Sequence, residues 1–432
     1  MNIKLYFKQS WQLMQQNRFF SVIYIVGSGL AISMIMVLAV TYHIQTADIA
    51  PAVNRSRSVY LESVSYIYNE RGTLNSMCGP RLATELAQNL KTPEAVAIYT
   101  SPYFNLATGD FYLRAQAHEN VPKVNLKACN SGFWEVFRFR FLEGKPFSEA
   151  DVYNARRQIV INETTARTIF SRNDVVGERV SLNGVPYVIC GVVADVSPIS
   201  LDAFGEAWVP YTSMSLIMNN NQREDTAAAG ELNLIFLLNS TDDFATLQSE
   251  VERFVQSYNR TLRDGHVELR NGIHLSQFRL LDMDEENTYI YLWTVLFLFF
   301  LIPALNISGL NSSEMQQRKE EIGVRLAFGA PRTTVFWQIF IENLVLMLPS
   351  GVIGLLLSYL WVYLLRNILL VGDSIIFVVG IDVWLSPAAL LDWKIFLIAF
   401  LACLLLNLLS AIIPVWHAVH KNIIWSLNKS EK

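Results

Sequence analysis

The 432-residue chain is 52% hydrophobic, 12% aromatic and 17% charged, with 34 basic against 38 acidic side chains and a formal net charge of −4. So apolar a composition, with a mean hydropathy of +0.28, excludes an ordinary soluble protein. The near-neutral charge balance gives no support for a nucleic-acid partner.

Ile3, Phe7, Trp11 and Met14 recur at helical spacing beside Lys4, Lys8 and Gln12, which predicts an amphipathic helix within residues 1–18 on the inner membrane surface. Four stretches free of Asp, Glu, Lys and Arg lie at Phe19–His43, Tyr289–Leu310, Asn343–Leu365 and Ile395–Trp416, each able to cross about 30 Å of hydrocarbon. The first reads as a retained span, since its run through Met34, Met36 and Val40 outlasts a signal-peptide core of about 7 to 15 residues. Transmembrane helices are therefore expected at 19–43, 289–310, 335–365 and 395–416. Lys4, Lys8 and Arg18 precede the first of them. Arg318, Lys319, Arg325 and Arg332 lie in the connection 311–334, and Lys421, Lys429 and Lys432 in the tail 417–432. The loop 366–394 instead carries Asp373, Asp382 and Asp392 against Arg366. Because basic residues stay on the cytoplasmic side, both termini are expected there and residues 44–286 outside.

A loop of about 240 residues is large enough to bury its own core. Strand-like runs occur at Arg57–Val64, Ala95–Thr100, Phe111–Ala117, Arg156–Ile161, Arg179–Leu182, Tyr187–Val193, Leu232–Leu238 and His266–Leu269, with helical spacing at Arg81–Leu90 and Asp243–Leu262. In the second helix Phe244, Leu247, Val251, Phe254, Val255 and Tyr258 share a face, and Asp242 and Asp243 are placed to cap its N-terminus. Residues 127–211 read as an insertion with its own hairpin around Asn183-Gly184. Its aromatic group Phe133, Trp134, Phe137, Phe139 and Phe141 reads as core before ligand surface. Cys78, Cys129 and Cys190 permit at most one internal bridge; a Cys78–Cys129 pair is left open. The fold class expected is an α-helical membrane protein with four transmembrane helices plus a large extracytoplasmic α+β domain.

Glu314–Leu326 has Met315, Lys319, Ile322 and Leu326 on one helical face and Glu320, Glu321 and Arg325 free for a soluble partner, with Gly329 and Pro331 breaking it from the third span. Glu342 stands at the start of that span, where a carboxylate must face protein or interface. Pro303 and Pro349 are expected to kink their helices, and Asn306 and Asn407 to bond between helices. No Gly-x-x-x-x-Gly-Lys-Ser/Thr loop occurs in these residues, so ATP would act through a separate subunit. His417 and His420 lack acidic or Cys neighbours, and Asp282, Asp284, Glu285 and Glu286 lack calcium-loop spacing, so no metal is expected. No catalytic residue set emerges, which argues against an enzyme.

Gln317–Arg332, with Glu342 after it, resembles the cytoplasmic element of the MacB/FtsX family of ABC transporter permeases. Asn17–Phe20, Val160–Phe170, Val176–Glu178 and Gly191–Asp195 resemble the same family's first helix and periplasmic core, and Ile413–Val419 resembles its closing segment loosely. The family element has Arg directly before Glu-Ile-Gly, whereas Arg318-Lys319 here precede Glu320-Glu321, which leaves the contact register open by one residue. The resemblance implies a porter-like α+β domain with an inserted subdomain, in a cell inner membrane. It also implies ATPase coupling through Arg318, Glu320, Glu321, Ile322, Gly323, Arg325, Gly329 and Glu342. The implied partners are a cytoplasmic ABC ATPase and a second permease subunit, identical or paralogous, with a membrane-fusion protein and outer-membrane channel for efflux. Mechanotransmission by such a dimer is the leading expectation; FtsX-like signalling, peptide sensing and lipoprotein release are the alternatives.

Overall fold

The computed structural model describes residues 18–276 except 71, 103, 116–119, 220–223 and 271, then residues 331–371, and isolated positions elsewhere. Two compact units emerge, one built on Ile44–Thr288 with Leu370–Leu385 and one containing the apolar helices.

Beyond the first helix, α1 (Arg18–Thr46), the α+β unit opens with β1 (Ser58–Leu61), β2 (Val64–Tyr68), β3 (Gly72–Cys78), α2 (Pro80–Asn89) and β4 (Ala95–Thr100). The single run expected over 57–64 is two strands. β1 pairs with β14 whereas β2 pairs with β3 and β15, so Glu62-Ser63 is a junction between sheet neighbourhoods. Pro80 starts α2 at a position where its missing N–H costs nothing, and Leu82, Ala83 and Leu86 are buried.

The next strands are β5 (Phe111–Ala115), β6 (Lys123–Val124), β7 (Leu126–Cys129), β8 (Phe141–Gly144) and β9 (Gln158–Asn162). After helix α3 (Glu163–Phe170) come β10 (Arg179–Leu182), β11 (Val185–Val193) and β12 (Ala207–Pro210). β9 and β11 run parallel across α3, β12 runs parallel to β7, and the remaining pairs are antiparallel, so the sheet is mixed. β5 pairs with β10 through Leu113 and Leu182, which extends this inserted block beyond residues 127–211. Asn183 (φ +47°) and Gly184 (φ +89°) form the hairpin turn, since both central positions of that turn require positive φ. The aromatic group is core: Phe133, Phe147 and Trp208 are fully buried, and Phe139 and Trp134 lie 5.4 and 6.1 Å from the Trp208 ring.

The chain returns through β13 (Ala229–Gly230), β14 (Leu232–Leu237), helix α4 (Phe244–Asn259), β15 (Gly265–Leu269) and β16 (His274–Leu275). β14 is buried throughout and pairs along its whole length with β4, so residues more than 130 positions apart make the centre of the sheet. α4 buries Leu247, Val251, Val255 and Tyr258, the face that periodicity indicates. Asp242 and Asp243 do not cap it. They belong to a preceding 3₁₀ turn in which Ser240 N donates to Asp243 Oδ2, so the carboxylate closes on its own turn. Asparagine side chains finish several strands by imitating a peptide group. Asn259 takes the N–H of Val267 at 2.7 Å and donates to its carbonyl at 2.9 Å on end strand β15, and Asn130 does the same for Ile98 N–H and Val96 O on β4.

Cys78 on β3 and Cys129 on β7 are separate thiols, with β14 and β4 between their strands. Three strand spacings amount to roughly 14 Å, beyond the reach of about 7 Å that a disulfide tolerates between Cα atoms. Cys190 is half-buried, its Sγ 3.5 Å from Ile159 O, and burial pushes its thiol up to about 12. All three stay protonated near neutral pH, which makes them poor nucleophiles.

In the helical unit, α1 and α5 (Arg332–Val371) each contain a stretch long and apolar enough to cross a membrane, Ser21–Ile44 and Met347–Leu365. α5 continues through Pro349. Ser350, Gly354 and Ser358 recur every four residues, Ser350 and Gly354 facing Gly29 and Ile32 of α1 and Ser358 facing Met36: a Cβ at Gly354 would lie 2.7 Å from Ile32 Cγ2 and 3.0 Å from Gly29 O. Small residues at such spacing let backbones approach where no hydrophobic force separates helix from lipid. Gly354→Leu is therefore expected to cost about 1–3 kcal/mol by overpacking. Leu356→Ala, 64% exposed two residues away, is expected to be neutral in the same thermal-unfolding measurement in detergent. The expected spans at 289–310 and 395–416 fall almost wholly outside the described residues, as do residues 1–14 and the acidic run Asp282–Glu286.

Candidate coupling site

The connection entering α5 is the segment that the sequence reading expects to meet a soluble partner. Phe328 N donates to Val324 O at 3.0 Å, closing a helical turn, and Gly329 follows at φ +86° with open space where a Cβ would stand. A left-handed glycine there is the usual way to end a helix without steric cost. Pro331 then starts the next element, its carbonyl accepting from Thr334 N at 2.9 Å, and α5 begins at Arg332. Gly329 and Pro331 thus stand between that turn and α5, a break of the kind that ends one helix and starts another.

Of the residues expected at this site, Gly329 occupies the turn, and Glu342 is carried on α5. Arg318, Glu320, Glu321, Ile322, Gly323 and Arg325 lie outside the described residues. Phe328 was not singled out by sequence, yet its side chain is 89% exposed, and Val324, one turn before it, is also exposed. Their spacing of four, off the face shared by Met315, Ile322 and Leu326, was the signal available. An exposed phenylalanine is the kind of side chain that can fill an apolar cleft on another protein.

Comparison with known proteins covers both halves of the chain. The MacB-like periplasmic core domain matches residues 21–254, and the FtsX-like permease C-terminal region matches residues 293–423. The macrolide export ATP-binding/permease protein MacB of Photorhabdus laumondii is 25% identical over 280 residues, covering 63% of this chain and 41% of that protein. MacB of Escherichia coli K12 is 23% identical over 341 residues, 77% of this chain and 48% of that one. The uncharacterized ABC transporter permease YknZ of Bacillus subtilis is 23% identical over 256 residues, covering 57% and 59%. The chain spans about half the length of the curated relatives it matches. Among solved structures, the periplasmic region of MacB from Actinobacillus actinomycetemcomitans aligns over 51% of this chain and 90% of that one, with 15% identity and a TM-score of 0.36. The extracellular domain of YknZ aligns over 48% and 99%, with 16% identity and a TM-score of 0.32. With the first family description matching more than half of its length and the second the region that contains α5, this chain belongs to the MacB/FtsX family of ABC transporter permeases.

Proposed function

We propose that the chain is the membrane half of a mechanotransmission machine in which a separate cytoplasmic ATPase drives movement of the extracytoplasmic unit, exporting a substrate from that side of the membrane. The observation that carries this reading is that one chain joins a MacB-like core to an FtsX-like permease region. Support also comes from the glycine break at Gly329 and the exposed Phe328 before it, which suit a lever that a soluble motor pushes. In this reading four helices span the inner membrane with both termini cytoplasmic, residues 311–334 form the coupling segment, and residues 366–394 join the outside face. The working unit is two permease subunits, identical or paralogous, with two ATPases. A membrane-fusion protein and outer-membrane channel complete the export route. The permease binds no cofactor itself, and ATP enters through the partner.

The test is copurification of the tagged full-length chain in mild detergent, with ATP hydrolysis assayed in the eluate. Wild-type protein is expected to bring down an ATPase. Glu321→Arg, Arg325→Glu and Phe328→Asp are each expected to reduce its recovery by about tenfold or more, as loss of a central contact does. No associated ATPase under any nucleotide condition would remove the reading.

A further inference from the structure

The segment joining α1 to β1 is fastened to the inserted block at several points. Arg138 N donates to Pro51 O at 2.9 Å, and Asn54 Nδ2 donates to Val136 O at 3.1 Å. Arg55 is only 9% exposed. Its Nη1 donates to Ile44 O, in the last turn of α1, at 3.0 Å, and its Nη2 reaches Ser200 Oγ at 3.5 Å. The carbonyls at a helix C-terminus lack intrahelical partners and carry partial negative charge, so a guanidinium there is held both by hydrogen bonding and by the helix dipole.

Ser200 belongs to the turn Ser197–Phe204 between β11 and β12, and a second buried cation holds the same turn from its other side. Lys127 Nζ on β7 donates to Leu201 O at 3.0 Å and Asp202 O at 2.8 Å, above the Tyr99 ring at 5.2 Å. The Tyr99 hydroxyl donates to Asp202 Oδ1 at 2.8 Å. Arg and Lys are almost never buried without partners, and these two share the Ser197–Phe204 turn as a partner. Arg55 touches both this turn and the end of α1, through Ser200, 145 positions away in sequence, and Ile44, 11 positions away.

We propose that Arg55 is a positioning residue that ties residues 44–46, the last turn of α1 and the start of the outer unit, to the Ser197–Phe204 turn, so that these two segments order and loosen together through the guanidinium. Lys127 anchors the same turn from its other side. The inference rests on the geometry of the outer unit alone and stands whether or not the ATPase reading holds.

Hydrogen exchange read by mass spectrometry on the full-length chain in detergent tests it. Arg55→Ala is expected to speed exchange about tenfold in both segments 41–46 and 197–204, leaving β1–β4 unchanged. Lys127→Ala is expected to loosen 197–204 only. Ser200→Ala, which removes one hydroxyl, is expected to give a smaller effect in both segments, and combining it with Arg55→Ala should add nothing at 197–204. Arg55→Lys, which keeps the charge but not the fork, is expected to protect 41–46 while leaving 197–204 fast. Acceleration in only one segment by Arg55→Ala, or full protection restored by the uncharged Arg55→Met, would overturn the coupling role. Should Arg55→Ala fail to fold, an unchanged 41–46 segment in Ser200→Ala overturns it equally.

Discussion

Gly144→Ala is expected to cost the full-length protein about 3 kcal/mol or more, a large part of the roughly 5–15 kcal/mol by which a domain is stable. Two effects add. Gly144 has φ +68°, where a β-carbon costs about 1–2 kcal/mol against the backbone. The added carbon would also stand 2.2 Å from Cys190 O, 2.9 Å from Gly191 Cα and 2.9 Å from Val176 Cγ2. Gly144 and Gly191 are partners across β8 and β11, and Lys145 N donates to the same Cys190 carbonyl, so relief requires prising β8 from β11. The expected result is a several-fold loss of monodisperse protein after detergent extraction. The surviving fraction should unfold roughly 6–12 °C lower, given about 2–4 °C per kcal/mol for a unit of this size. Gly177→Ala separates the two effects, because Gly177 has φ +90° but open space where its Cβ would be. It should show the backbone cost alone, and equal losses in the two variants would remove the steric part.

Trp208→Ala is expected to be of similar weight, about 3–5 kcal/mol, as is usual for deleting a buried aromatic. Trp208 is 0% exposed on β12 and sits where β7 and β9 flank it, its ring edge-on to Phe139 and tilted against Trp134. Gly205 lies so close that a Cβ there would be 3.0 Å from the indole, so the site cannot collapse inward to fill the void. The indole Nε1 has no hydrogen-bond partner among the described residues. An unmet buried donor costs about 1–3 kcal/mol, and Trp208→Phe removes it while keeping an aromatic ring. That variant is therefore expected to lose much less than Trp208→Ala in thermal unfolding of the full-length chain. Equal losses would mean the indole N–H is satisfied in solution or the cavity term is small.

Both effects arise in places that local sequence patterns describe poorly. Gly144 stands in the segment Leu142-Glu143-Gly144-Lys145, which has no special turn signature, and its demand for glycine comes from Cys190, 46 positions later. Trp208 could be read as a buried aromatic, but not as the centre of a cluster assembled from Phe133 to Phe147 and β12. The coupling site divides the same way. The break at Gly329-Pro331 was legible because glycine and proline act on their own backbone, whereas the exposure of Phe328 depends on what does and does not pack beside it.

The sequence by itself determined the features that depend on neighbours a few residues apart. The apolar runs of α1 and α5 follow from composition over one helix length, and the buried face of α4 from a period of three to four residues. The hairpin at Asn183-Gly184 follows from the two residues that best tolerate positive φ. Tertiary structure alone decided that β4 pairs with β14, that β1 and β2 part company at Glu62-Ser63, and that β5 joins the inserted sheet. It also set Cys78 and Cys129 too far apart to bond, and buried Arg55 and Lys127 against one turn. The reason is physical: a strand's alternation states that one face is covered but not by which partner, and a charged side chain carries no local mark of the distant carbonyls that make its burial tolerable.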